Sequence, residues 1–569
     1  MKRQTHLLTD GIFDVLVVGG GAFGAAAARD AAMRGLRTAL IERADFGSGA
    51  SAECFKMIHG GIRYIQHGDV RRLRASAAER SAMLRIAPHL VHPLPIVIPT
   101  YGQGRRGKPL LAAGLCVYDL FTTDRNSGIR DPARRISPTR LLGREEVLTQ
   151  FPGIESHNLT GGAVFEDGQM YNPPRLVLAF VESAVEAGAV AANHVEATEF
   201  LRRDGAVRGV VARDCLEGSR FEIQARVVLN AAGPWSDDLL RTAGRISGWR
   251  RGHYSRDAYF VVNRAARSRY GLAVQSQSRD RDALLSRSAR HLFVVPWRDL
   301  TLVGVWHRTF TAPPDEARVD ERELETWLAE MRDAYPALSL RRDDISHVNC
   351  GLVPFGDGPS TAGDLSFGKE SRFIDHRVVH GIRGLVTVIG IRYTTARADA
   401  STALDMLLQQ LPGGVPERAP TAHRPVAGGD IDDFERFSAE AQHHRPPYVS
   451  SATLAALLRN HGCNYGRVLA CVRADAADAR PIPGCEALLA EVTHAVSQEM
   501  AVHLDDIILR RMDIGAGRHP GNAAIEIIAA RMQQLLGWSD ARRREEAAST
   551  RAMLARHWAN GVEVAAAAA

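Results

Sequence analysis

The sequence predicts an α/β dinucleotide-binding body followed by an all-helical C-terminal domain, and three observations carry that prediction. Residues 13–42 read strand, glycine turn, helix, strand, a βαβ unit. Two later segments, VLNAAGPW at 228–235 and VIGIRYTTAR at 388–397, repeat a strand running into a glycine turn and a helix, with a β-rich stretch at 258–310 between them. After a Pro/Gly-rich passage at 411–431 the strand pattern disappears. At 569 residues the chain is too long for one hydrophobic core.

Each element follows from its residues. FDVLVV is a short apolar strand, GGGAFG the turn, AAAARDAAMRG an alanine-rich helix, and TALIE the second strand. Residues 71–87 have helical spacing and stop at Pro88, and 175–188 form another helix. Strands alternate through 195–229, helix returns at 321–334, and LVTVIG at 385–390 leads into a further turn and helix. The expected division is a body over 1–415, a linker over 416–431, a helical domain over 432–560 and a tail over 561–569. Within the body, nucleotide-binding segments are expected near 10–70, 160–245 and 350–410, and substrate-domain segments near 71–159 and 246–349.

Composition excludes several classes. Hydrophobic content of 45% and charged content of 24% are ordinary for a globular protein. There is no run of about 18 apolar residues to span a membrane, and MKRQTHLLTDGIFD has no apolar core of a signal peptide. Seven scattered cysteines with no CxxC pair read as free thiols in a reducing cytoplasm, with no metal site. The net charge of +6 is carried almost wholly by arginine, since only four lysines occur. No nucleic-acid motif accompanies it, so nucleic acid is not an expected partner. Peripheral contact with an anionic membrane is compatible with this balance.

The chemistry-bearing motifs begin with Gly19, Gly21 and Gly24. In this fingerprint the first glycine allows the tight turn, the second admits a pyrophosphate to the helix N-terminus, and the third lets helix pack on strand. Glu42, at the end of the second strand, is placed to accept ribose hydroxyls and disfavours a 2′-phosphate. The fingerprint alone does not choose between FAD and NAD. Several glycine turns converging at strand ends make a long cleft suited to a buried FAD. A second motif, MIHGGIRYIQHG at 57–68, sets His59, Gly60, Arg63 and Tyr64 side by side. His59 is a candidate base because imidazole titrates near neutrality, and His307 in the β-rich stretch is another. Arg63 is a candidate for an anionic group, Lys56 for the flavin, and Arg392 for flavin or substrate at its strand–helix turn.

Together these segments resemble the FAD-dependent glycerol-3-phosphate dehydrogenases, over nearly the whole chain. The resemblance rests on DVLVVGGGAFGAAAARDAAMRGLRTALIE, the K-x-IHGG-IRY stretch at 56–64, APH at 87–89, DGQM at 167–170, NAAGPW at 230–235, VVPW at 294–297, TTxR at 394–397, and AV-x-x-E with LRR at 495–511. It implies a glutathione-reductase-type FAD-binding fold with an interleaved β-rich substrate domain. It also implies hydride transfer from a secondary alcohol to flavin, with electrons passed to quinone or oxygen. The implied cofactor-binding set adds Arg43, Ser51, Lys56, His59, Gly60, Val195, Ala232, Gly233, Trp235, Gly390, Arg392, Thr394 and Thr395 to the glycines and Glu42. The implied substrate set is Arg63, Tyr64, Tyr259, Lys369 and Arg392, with catalytic roles for His59, Arg63, Tyr64, His307 and Arg392. A homodimer is compatible with it.

This sequence departs from the family on the substrate side. The family's SGVRPL reads CGLVPF at 350–355, so Val353 replaces an arginine that grips the substrate. Its GTTD becomes Gly304–Val305–Trp306–His307, and its GGKLTTYR places Arg392 at the lysine. The departures leave three readings: glycerol-3-phosphate oxidation, oxidation of another polyol, sugar-derived or 2-hydroxy compound, and a flavin-binding regulatory module without catalysis.

Overall fold

The computed structural model describes residues 1–102, 108–243, 254–279, 289–354 and 371–558. The first sheet runs in the order Arg372–Asp375, Leu385–Ile389, Arg220–Asn230, Phe13–Val18, Thr38–Ile41, Val190–Ala192. Its central strands are parallel, and Phe13–Val18 lies between Thr38–Ile41 and Arg220–Asn230. Buried on both faces, these strands carry near-continuous apolar runs. Helix Ala22–Met33 presents Ala25, Ala26, Ala28 and Ala31 to this core, small residues that let it approach the strands closely. The outer half of Arg220–Asn230 leaves the parallel sheet and pairs antiparallel with Ala206–Asp214, whose other neighbour is Val195–Arg203.

The second sheet is ordered Ile345–Pro354, Tyr254–Val262, Leu300–Phe310, Ala289–Trp297, Gly271–Arg279, Val91–Tyr101, Leu159–Met170, Met57–Ile58. It therefore reaches beyond the substrate-domain segments expected from sequence. Leu159–Met170 and Ile345–Pro354 both belong to it, and so does the short strand leading into the His59 motif. The reason is pairing: the long Val91–Tyr101 and Tyr254–Val262 each need a full-length antiparallel neighbour.

From Phe434 to Arg556 the regular elements are helical. Residues 411–431 contain no helix or strand, yet Val426 is buried and Arg29 donates to the carbonyls of Thr421, Arg424 and Pro425. The second half of the passage, from Thr421 on, is held against the body. The 561–569 tail lies outside the described residues. Among the described residues no helix is long and apolar enough to cross a membrane.

Candidate active site

A cleft of about 1250 Å³ runs from the glycine turn after Phe13–Val18 to the cavity-facing side of the second sheet. Its walls come from both sheets and from the helical domain, which contributes His503, Asp505, Arg510, Met553 and Arg556.

The nucleotide end is built by close approach. Gly19 has φ +106°, and a Cβ there would sit 2.5 Å from the Ala231 carbonyl oxygen. A Cβ on Gly24 would lie 1.8 Å from the Gly19 carbonyl oxygen, so only glycine lets helix Ala22–Met33 start there. That helix has no side-chain cap at Gly21, and its Ala22 N–H donates to Ser51 Oγ at 3.0 Å. Open first-turn amides beside a side-chain-free Gly21 fit a pyrophosphate. Glu42 accepts from the Gly20 amide at 2.6 Å and the Ala44 amide at 2.9 Å, each on a different carboxylate oxygen. Burial raises its pKa, opposed by those two amides. Each oxygen keeps a second lone pair for a ribose hydroxyl. Arg43 stacks over the Trp235 ring at 4.5 Å, and both side chains reach Asp315. Val195, Ala232 and Gly233 line the same stretch.

The other end is organised by strand pairing. Met57 pairs with Gln169 and Ile58 with Gly168, which brings His59 opposite Asp167. His59 Nδ1 lies 3.0 Å from Asp167 Oδ2, and the Gly60 amide donates to Oδ1 at 2.6 Å. Buried Arg80 lies 3.6 Å from the same carboxylate. A carboxylate only accepts, so Nδ1 carries the proton and Nε2 the lone pair. The His59 ring is 56% exposed in the cleft, while its backbone amide is held by Thr394 Oγ1 at 3.0 Å. A Cβ on Gly60 would strike Arg80 Nη1 at 2.1 Å, and Gly61 takes φ +83° to start the turn at Ile62.

Arg392 donates to Tyr64 Oη at 2.9 Å and Ser76 Oγ at 3.2 Å. Arg63 and Tyr64 line the cleft beside it. Across the cleft, Asp257 pairs in register with His307, whose Nδ1 is 2.8 Å from Asp257 Oδ1. Val353 lines the same wall. Tyr259 is fully buried, and burial raises its pKa well above the usual value. It donates to the Cys54 carbonyl at 2.8 Å.

Two residues named from sequence, Lys56 and Thr395, stand away from the cleft. Lys56 has φ +60° and turns its side chain into the core, 2.5 Å from Tyr259 Oη and over the Trp297 ring, instead of toward the cleft. Thr395 is buried behind Thr394, donating to Asp399. Gly390 is covered by the ring of Phe23, which would lie 2.2 Å from a Cβ there, yet it still lines the cleft. Lys369 lies outside the described residues. Sequence reasoning missed Asp167, Arg80 and Asp257. Asp167 opens the DGQM motif, the one signal that could have found it.

Comparisons with known proteins give the family. Residues 14–396 match the FAD dependent oxidoreductase family, and residues 419–543 match the C-terminal domain of alpha-glycerophosphate oxidase. A glycerol-3-phosphate dehydrogenase of Mycobacterium leprae is 31% identical over 538 residues, covering 93% of this chain and 85% of that protein. One from Synechocystis is 29% identical, covering 93% of each. The solved glycerol-3-phosphate dehydrogenase of Bacillus halodurans, complexed with FAD, superposes with a TM-score of 0.75 at 23% identity, covering 97% of this chain and 96% of that one. The fold and cleft thus define an FAD-dependent oxidoreductase. Within that class the chain belongs to the glycerol-3-phosphate dehydrogenase family.

Proposed function

We propose that this enzyme oxidises the secondary alcohol of a small polyol phosphate of the glycerol-3-phosphate type, with His59 as the proton acceptor. Bound FAD supplies the hydride acceptor. Gly19, Gly21 and Ser51 would hold its pyrophosphate, and Glu42 its ribose. The observation that carries the reading is the His59–Asp167 pair at 3.0 Å. Asp167 fixes the tautomer, so Nε2 is the basic atom turned to the cleft, ready to take the hydroxyl proton as the carbinol C–H bond breaks. Asp167 then stabilises the imidazolium. Arg392 and Arg63 hold the anionic end of the substrate. The intact pair weighs against an inactive flavin-binding module.

The electrons pass on to a quinone or to oxygen. Helix Lys108–Phe121 supports a membrane-held acceptor: Leu111 and Leu115 line the cleft, while Val117 and Leu120 on its outer side are exposed. That apolar face suits peripheral contact with a bilayer.

The test is anaerobic bleaching of the flavin band by glycerol 3-phosphate in wild type, His59→Gln and Asp167→Asn. Loss of base or orienter should slow bleaching by about 10²–10⁴-fold with FAD content unchanged. Equal rates in all three proteins would remove His59 as the base.

A further inference from the structure

The sheet wall of the cleft has been rebuilt around a carboxylate. Asp257 sits mid-strand in Tyr254–Val262, with His307 as its register partner on one side and Gly351 on the other. Gly351 contributes no side chain, so the carboxylate is open to the cleft on that flank. Its Oδ1 accepts from Ser255 Oγ at 2.5 Å and from His307 Nδ1 at 2.8 Å. Its Oδ2 has no donor among the described residues, and 27% of the side chain is exposed, lining the cleft. A second carboxylate, Glu53, lines the same region and accepts from the Cys350 amide at 3.0 Å. The one arginine of this strand, Arg256, is buried and bound to Glu323 and the Arg318 carbonyl. Val353 adds no cation. A phosphate dianion placed here would meet two carboxylates and be repelled.

A cation without a salt-bridged carboxylate among the described residues lies elsewhere in the cleft. Arg392 lines the cleft, donating to the hydroxyls of Tyr64 and Ser76, and its buried Nε has no acceptor among the described residues. No carboxylate pairs with it among the described residues. Guanidinium flanked by two hydroxyls suits a phosphate.

Resting on the proposed polyol phosphate oxidation, we propose that Asp257, steadied by His307 and Ser255, accepts a hydrogen bond from a free hydroxyl at the end of the substrate opposite its phosphate. The phosphate seats on Arg392. The substrates of this enzyme are then polyol phosphates that carry a hydroxyl distal to the phosphate and beyond the alcohol oxidised. Analogues ending in a methyl group bind poorly. Such a site rejects the missing hydroxyl strongly, because the carboxylate would be left desolvated without its donor.

The experiment measures binding separately from turnover. Dihydroxyacetone phosphate and hydroxyacetone phosphate differ only in that hydroxyl. Calorimetry on oxidised holoenzyme gives their dissociation constants for wild type, Asp257→Ala and His307→Gln. In wild type the hydroxyl should be worth tenfold or more, about the range of a hydrogen bond to a charged group. In Asp257→Ala the two ligands should bind within about threefold of each other, with an intermediate ratio in His307→Gln. The same ratio in all three proteins overturns the assignment. Anaerobic bleaching by glycerol 3-phosphate is run alongside. Bleaching with an unchanged ratio means that the oxidation stands and the hydroxyl site fails. No bleaching and no binding by either ketone overturns the oxidation itself, and the hydroxyl site with it.

Discussion

Lys56 shows how far a residue type can mislead. As one of four lysines beside the His59 motif it reads as a flavin contact, but its positive φ turns it away from the cleft into the core, where it is 2% exposed. Among the described residues no carboxylate forms a salt bridge with it. It meets a tyrosine hydroxyl and the faces of Tyr259 and Trp297. Burial lowers its pKa to about 8, from the 10.5 of a free lysine. A lowered lysine pKa means that the unfolded chain binds the proton more tightly, so folding stability rises with pH between those two values. Below about pH 8 the native protein carries the full cost of a buried ammonium. Lys56→Met should therefore stabilise the protein at pH 7, by on the order of 3 kcal/mol at most, and that advantage should vanish by about pH 10.5. Urea unfolding of both proteins across this range measures it. An advantage that grows with pH would contradict the burial argument.

At the scale of elements, strand register decides the active site. His59, Arg63, Tyr64 and Arg392 were legible because they lie within contiguous motifs at the ends of strands. Helix Glu321–Ala334 and strand Leu385–Ile389 were legible to within a residue, because periodicity is local. Asp167 and Asp257 were not legible. Each meets its histidine through antiparallel pairing, across 108 residues for Asp167 and 50 for Asp257, and no local pattern encodes that. The same applies to Leu159–Met170, whose membership of the second sheet depends on its partner Val91–Tyr101. Register also decides what an arginine at position 353 would meet. Val353 is directly opposite Ser255, two pairs away from the Gly351–Asp257 pair. An arginine there would enter a wall holding Asp257 and Glu53 and be neutralised by them. Val353→Arg should improve the dissociation constant of dihydroxyacetone phosphate by less than about threefold, because its charge is already paired. A gain of tenfold or more by calorimetry would show that phosphate does seat on this wall.

For the whole molecule, the helical domain forms part of the cleft wall, through His503, Asp505 and Arg510. Asp45 follows three residues after Glu42 and is buried. It accepts from Arg510 Nε at 2.7 Å, from Arg511 Nη1 at 2.6 Å and Nη2 at 2.7 Å, and from Asn193 Nδ2 at 2.9 Å. Arg510 also binds Asp505 and Asp506, and Asp506 in turn meets His194 at 3.3 Å. Arg510, Asp505 and His194 line the cleft, so this cluster couples domain docking to the shape of the ribose end. A second buried contact, Arg175 Nη1 to Glu499 at 2.7 Å, holds the same domain to helix Pro173–Glu186. Breaking one partner of a buried ion pair leaves the other charge uncompensated, which typically costs about 3–5 kcal/mol. Arg511→Met should cost this much in urea unfolding. It should also speed FAD release, because the Glu42–Asp45 loop loses its anchor. Arg511→Lys keeps the charge but not the two-pronged geometry, so it should fall between wild type and Arg511→Met in both measurements. Flavin fluorescence, which rises as FAD leaves the protein, follows release, and circular dichroism follows unfolding. If Arg511→Met unfolds earlier while its FAD leaves at the wild-type rate below the unfolding transition, the latch serves stability alone, and the helical domain has no part in holding the cofactor.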